Sequence, residues 1–360
     1  MTGSGFNLSN DGSIIGGSGG AGGNAFGGAG GRGGQGANNS GRSGDGGDGS
    51  SGGTAGNGAA GATAVTGSNF QLVNRGIING GNGGRAGLAT GGSAGDTDYA
   101  GAPLGTIGSV GQAGAEGTSG TYGAAGVGVV STGSSTITTS NLIAGGLAGN
   151  GTTQANAIEF SGGNNTLTLE SGYSFVGNVI SSGGDTLALG GDTNGSFFVS
   201  SLAATSPPSW SGAVQYYGFN DYVKTGNSTW TLNGSTTEVT AWNINAGTLS
   251  VSNDSNLGAA EGGLTFNGGT LENTAAISTA RDMLLKTTGT LQTNANLTAT
   301  GLISGLGSLV KTGAATLTLT SNNTYSGGTT INAGALQIGN GGTTGSVVGN
   351  IINNITAVMH

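Results

Sequence analysis

Residues 301–342 read GLISGLGSLVKTGAATLTLTSNNTYSGGTTINAGALQIGNGG, and an earlier stretch repeats their spacing without a gap. Val223-Lys224-Thr225-Gly226 returns as Val310-Lys311-Thr312-Gly313, Thr229-Trp230-Thr231-Leu232 as Thr316-Leu317-Thr318-Leu319, and Ile244-Asn245-Ala246-Gly247 as Ile331-Asn332-Ala333-Gly334, every pair offset by 87 residues. A constant offset with variable residues between the matches marks one structural unit used twice.

Similar alternation surrounds these copies. Thr166 to Glu170, Thr186 to Leu189, Thr248 to Val251, Gly263 to Phe266 and Thr290 to Gln292 all space apolar residues by two, which predicts short strands with one buried face. Gly and Asn between them suit left-handed turns. Only residues 274–285, with Arg281-Asp282-Met283-Leu284-Leu285, admit a helix, and Thr279 and the flanking strands favour a rung there. A strand of four or five residues orders its backbone at about 1–2 kcal/mol per residue, whereas each buried Leu returns about 1.5–3 kcal/mol. Such strands must therefore stack, with Leu317, Leu319, Ile331 and Leu336 in a shared interior. The predicted fold is all-β, a right-handed parallel β-helix (β-solenoid).

The repeated segments resemble the autotransporter-associated β-strand repeat of passenger domains in type V secretion. The second copy, about 301–342, follows that pattern nearly throughout. The first, about 221–258, departs at Thr236-Thr237-Glu238-Val239, where the family has an N-T-Y-G-G-T-T turn. Leu257-Gly258, residues 262–271 and Arg281 resemble the linking rungs, so the likeness spans residues 155–350. It implies a surface-exposed or secreted stalk for adhesion, aggregation or presentation, with repeats that assist folding during translocation. It also implies a C-terminal translocator β-barrel as partner, location at the cell surface, outer membrane or outside the cell, and surface glycans or proteins as ligands. Residues 1–5 do not begin a signal peptide and residues 356–360 leave the repeat pattern, so the chain reads as a passenger fragment.

Composition agrees. Glycine supplies 83 of 360 residues, and charged residues only 7%, against a usual quarter. Fifty of the 83 glycines precede residue 151, which predicts a Gly/Ser/Ala-rich region with isolated β-rungs at 1–153 and a solenoid passenger region at 154–360. Eight basic residues against sixteen acidic ones, with no basic run, exclude nucleic acid as a partner. No cysteine is present, and no apolar run is long enough to insert this chain into a membrane. Within the first half, Gly3-Ser4-Gly5-Phe6-Asn7-Leu8-Ser9-Asn10 returns at Gly67 to Asn74, 64 residues on, and more weakly at Gly133 to Thr138. These islands read as rungs. Spacers such as residues 27–61 hold little apolar area and read as Gly-rich loops or flexible excursions. An equally plain reading leaves the whole Gly-rich half disordered.

No catalytic, cofactor-binding or metal-binding residue is expected from the sequence. The strings at 16–20 and 91–95 fit G-x-S-x-G, yet His360 is the only histidine and no triad assembles. Asp45 with Asp48, or Asp96 with Asp98, offers oxygens to calcium, but reads more simply as solvated loop. Lys224 and Lys311 share one repeat position, so their ammonium groups are expected to meet turn carbonyls or solvent. Trp210, Tyr216, Tyr217, Phe219 and Tyr222, after Pro207-Pro208, suggest either a sugar platform or a loop packed on the solenoid side. Thr316, Thr318 and Thr320 would bind ice only if repeated on consecutive coils. The chain thus reads as non-enzymatic. The alternative is a β-helical polysaccharide lyase or hydrolase, for which the strand half offers only Lys224, Arg281, Lys286 and Lys311 as basic residues.

Overall fold

A computed structural model describes residues 1–33, 45–96, 108–203 and 210–355. Among these residues there is no α-helix, and every paired strand lies parallel to its neighbour, as the alternating pattern requires. One ladder runs nearly the length of the molecule. Leu8, Leu72, Ile137, Leu167, Leu187, Tyr222, Trp242, Leu264, Met283 and Ile303 are successive register partners, one per rung. All but Leu8 are buried, and they form the spine of a continuous core. This is a β-solenoid.

Beyond residue 258 the coil has three faces. Leu264–Phe266, Thr270–Asn273 and Ile277–Thr279 begin them, and Met283–Leu285, Gly289–Thr293 and Leu297–Ala299 lie directly on top. The segment 274–285 is therefore not a helix but two strands, Ile277–Thr279 and Met283–Leu285, joined by a corner at 280–282, as a rung requires. Leu317 and Leu319 are fully enclosed, Ile331 is buried, and Leu336 is half-buried on the last full rung. Positive φ at Gly226, Gly247, Gly313 and Gly334 confirms the left-handed turns expected between strands.

The two repeat copies have the same local shape on different faces. Val223 has Asn243, Thr265, Leu284 and Ser304 as successive partners, and Ser304 falls six residues short of Val310. Val310 belongs instead to the next face, on Thr290 and beneath Thr330. The 87-residue offset is thus four rungs plus one corner.

The Gly-rich half departs most from its expected form. The islands are rungs: Asn7–Asn10 pairs with Gln71–Asn74 and that strand with Thr136–Thr139. The spacers carry little regular strand, yet their backbones are bonded at every third residue. Gly16, Gly19 and Gly22 donate to the carbonyls of Asn79, Asn82 and Arg85 in parallel register. Ala62, Ala59 and Gly56 donate to Gly17, Gly20 and Gly23 in antiparallel register, and Gly126, Gly123 and Gly120 meet Gly81, Gly84 and Gly87 likewise. A period of three is that of an extended threefold helix, which has no internal bonds and must find partners outside itself. Runs at 16–31, 46–62, 80–95, 111–127 and 145–149 supply those partners to one another, alternating in direction.

Small residues make this array possible. A Cβ on Gly84 would lie 1.9 Å from the Gly20 carbonyl oxygen, and one on Gly19 would lie 1.9 Å from that of Ala59. None of the described glycines between Gly5 and Gly151 has positive φ, so here glycine serves close approach rather than turning. Apolar area was the wrong measure for these spacers, because backbone hydrogen bonds, not side-chain burial, hold them.

Candidate functional site

The lysine of each repeat is the most elaborated feature of the unit. Lys224 lies on Tyr216–Lys224 and Lys311 on Leu309–Thr312, both facing inward with no exposed surface. The Lys224 ammonium donates to the carbonyls of Thr225 (2.6 Å), Gly226 (3.1 Å) and Ala246 (3.2 Å). Lys311 donates to Thr312 (2.7 Å), Gly313 (2.8 Å) and Ala333 (2.9 Å). Three donors meet three acceptors, so neither charge is left unsatisfied. The first two acceptors belong to the lysine's own turn and the third to the next rung, so each ammonium clamps one coil to its successor.

The repeat motif is the set of residues that builds this clamp. Gly226 and Gly313 turn the chain at positive φ, so that the carbonyls converge. Gly247 and Gly334 leave room for the ammonium: a Cβ there would lie 2.6 Å from Lys224 Nζ and 2.8 Å from Lys311 Nζ. Burial lowers the Lys224 pKa to about 8 and lowers that of Lys311. The copies differ where the sequence differs. In the second, Asn323 Oδ1 accepts from Ile303 N at 2.9 Å, and buried Tyr325 shares a 2.6 Å hydrogen bond with Thr329. In the first, a short turn at Thr236–Glu238 replaces that stretch, with Glu238 N donating to Thr236 Oγ1.

Arg281 is a third internal cation. Its Nη1 donates to Ala259 (2.6 Å) and Gly262 (2.8 Å), and its Nη2 to Gly258 (2.6 Å), all backbone carbonyls. Its Nε meets Asp254 Oδ1 at 3.0 Å. It thereby fastens the 3-10 turn Asp254–Leu257, at the end of the first copy, to the rung above. With Lys224, Lys311 and Arg281 inside, Lys286 is the one exposed cation among the four basic residues considered for a lyase.

A buried polar column stands at one corner. Ser135, Asn165 and Asp185 precede the register partners Thr136, Thr166 and Thr186. Asn165 Oδ1 accepts from Ser135 N (2.9 Å), and Asp185 Oδ1 accepts from Asn165 N (2.7 Å) and Nδ2 (2.9 Å). Asp185 Oδ2 takes the Ser181 hydroxyl at 2.6 Å. The column ties rungs together. The sequence shows only Ser-Thr-Ile, Asn-Thr-Leu and Asp-Thr-Leu, a changing polar residue before a constant threonine, too weak a pattern to single out Asp185.

The other candidates fall in separate places. Asp45 accepts from Ser109 N and Oγ, and Asp48 from Gln112 N, each bridging glycine runs 64 residues apart; Asp98 lies outside the described residues. Ser18 and Ser93 are exposed within glycine runs, with no strand-to-helix elbow, and His360 is not described. Tyr216, Phe219 and Tyr222 point into the core from a strand, so these rings form neither of the two alternatives, an exposed sugar platform or a loop packed on the solenoid side. Trp210 is half-buried, and residues 207–208 are not described. Thr318 stacks on Thr298 but beneath Gln337, which breaks the threonine array. The longer threonine ladder, missed from sequence, is Thr229, Thr248, Thr270 and Thr290 on another face.

Tyr216 belongs to an interior aromatic cluster at a seam in the stack. The sheet ending in Ser174–Val176 and the sheet starting at Gly195–Phe198 are not hydrogen-bonded to each other. Phe175 and Phe197 pack on Tyr216 at centroid distances of 6.0 and 5.3 Å, and Tyr173 packs on Trp230 at 5.9 Å. Two adjoining clefts open on the outer side, of about 500 and 320 Å³, both lined by Tyr173 and Phe198.

Comparison with known proteins agrees with this architecture. Residues 223–251 and 309–338 match the Passenger-associated-transport-repeat family (PATR), the two stretches that hold the lysine clamps. Over 133 residues the chain is 43% identical to the Adhesin BmaC autotransporter of Brucella suis biovar 1 (strain 1330), covering 36% of this chain and 4% of that protein. No solved structure matches the chain. The repeats and the adhesin likeness support an autotransporter passenger with associated repeats.

Proposed function

We propose, for a chain carrying the repeats of autotransporter passengers, that it is a non-enzymatic, surface-displayed β-solenoid stalk serving adhesion, aggregation or presentation. The observation that carries this reading is the pair of lysine clamps. Each is completed only when the following rung supplies Ala246 or Ala333, so each repeat rewards the addition of one coil to the last. Growth of a stack outside the membrane would draw the remaining chain outward. A C-terminal β-barrel in the parent protein is its translocation partner, and the cell surface or outer membrane its place. The boundary near residue 153 is, on this reading, a change in rung length within one stack.

Deletion of residues 310–336 from a full-length version tests the export role: surface display measured by antibody labelling should fall severalfold, and unchanged display would remove the repeats from export. The glycan-cleaving alternative gains nothing from the interior placement of Lys224, Arg281 and Lys311. Incubation with pectin-like polysaccharides should release no reducing ends; turnover would refute the non-enzymatic reading.

A further inference from the structure

We propose that the seam between the two sheets is a binding cleft for a neutral oligosaccharide. The inference rests on the adhesin reading for its surface-borne ligand, but its geometry stands separately. Along the ladder from Leu8 to Ile303 each rung covers the one before it. At the seam, Ser174–Val176 pairs only with Leu142–Ala144, and Gly195–Phe198 only with Thr229–Asn233, so two sheet edges face each other unpaired. Besides ring packing, a long hydrogen bond spans them, donated by the Tyr173 hydroxyl to the Ser196 carbonyl at 3.4 Å.

The lining combines aromatic faces with uncharged hydrogen-bonding groups. Phe198 is 60% exposed at the junction of the two clefts. Tyr173 is half-buried beside it and backed by Trp230, whose indole N–H is already committed to the Gly190 carbonyl at 2.9 Å. The indole is itself fully enclosed, so it is the floor beneath Tyr173, and the aromatic faces open to a ligand are those of Phe198 and Tyr173. Gly195 lies flat on the indole, where a Cβ would fall 2.9 Å from the indole carbons. Ser171, Asn194 and Ser196 supply hydroxyl and amide groups, and Asn194 is held in place by accepting from Thr229 N at 2.8 Å. Among the described residues no charged side chain lines either cleft.

Such a surface suits a pyranose. Its C–H face packs on an aromatic ring while its hydroxyls, donors and acceptors alike, reach the side-chain groups and the open strand edges. A volume near 500 Å³ is within the range of small-molecule sites. The net charge of −8 disfavours acidic glycans. An extended peptide added to the strand edge is the competing occupant, but edges of three and four residues offer it few ladder bonds.

The test is saturation-transfer NMR on the whole chain with cellohexaose, chitohexaose and laminarihexaose, beside an alternating Thr-Val octapeptide. The proposal expects saturable transfer to at least one sugar, weakened at least tenfold in Phe198→Ala, with an unchanged unfolding midpoint because that ring is outside the core. Absence of transfer to all three sugars, sugar binding indifferent to Phe198→Ala, or capture of the octapeptide alone would overturn it. Adhesion of protein-coated beads to cells, read in parallel, judges the adhesin reading by itself. Sugar binding without bead adhesion sinks that reading and keeps the cleft; bead adhesion without sugar binding does the reverse.

Discussion

A lysine inside a stack of short strands is costly unless its charge is satisfied, and the repeat supplies three carbonyls for the purpose. Lys311→Met keeps the stem and strands the carbonyls. Leaving buried acceptors unmatched should cost about 1–3 kcal/mol in urea unfolding, whereas an unmoved midpoint would make the clamp dispensable. Titration adds a second expectation. Lys224 is lowered to about 8 by burial, against 10.5 ordinarily, so between those values the unfolded chain holds the extra proton and stability rises with pH. Tyr222 is raised to about 12 by burial, against 10 ordinarily; above pH 10 the unfolded chain loses its proton first and stability falls. The urea midpoint should therefore peak near pH 10, and Lys224→Met should weaken the rise. Leu319, fully enclosed, supplies a simpler check, since Leu319→Asp must lower the midpoint if that side chain is interior. The lysine position and its turn carbonyls were legible in sequence because V-K-T-G occurs twice. Asp185 was not, because no second copy marked it and its partners lie on other rungs.

At the scale of elements, strand and spacer obey different rules. Strands in the second half declared themselves by period-two alternation, and 277–279 with 283–285 form a rung for that reason. The spacers gave no such signal, because their period is three and carried by the residue with no side chain. The informative pattern was the recurrence of glycine at 16, 19 and 22 and again at 117, 120, 123 and 126, which burial arithmetic overlooks. A paired substitution separates close approach from mere glycine content. Gly84→Val places a side chain against the Gly20 carbonyl and should abolish slow amide exchange through the array, while Gly17→Ala, with open space at its Cβ, should leave exchange intact. Equal effects would mean that the array is not close-packed. The aromatic segment 216–222 gave no strand signal for a related reason: its inward rings, Tyr216, Phe219 and Tyr222, are spaced by three because register shifts interrupt the pairing of this long strand.

For the whole molecule, both halves share one axis, since the column from Leu8 to Ile303 crosses residue 153 without a break. The 87-residue repeat predicted stacking but not its phase, because rotation by one face depends on corner lengths that no motif records. Spin labels test the stack most directly, and the absence of cysteine lets them be placed singly. Thr229 is four, five and six ladder steps from Val310, Thr330 and Ile352. At about 4.8 Å per step, double electron–electron resonance should give separations near 19, 24 and 29 Å for the three pairs. Distances that fail to grow by one strand spacing per rung would contradict the parallel solenoid.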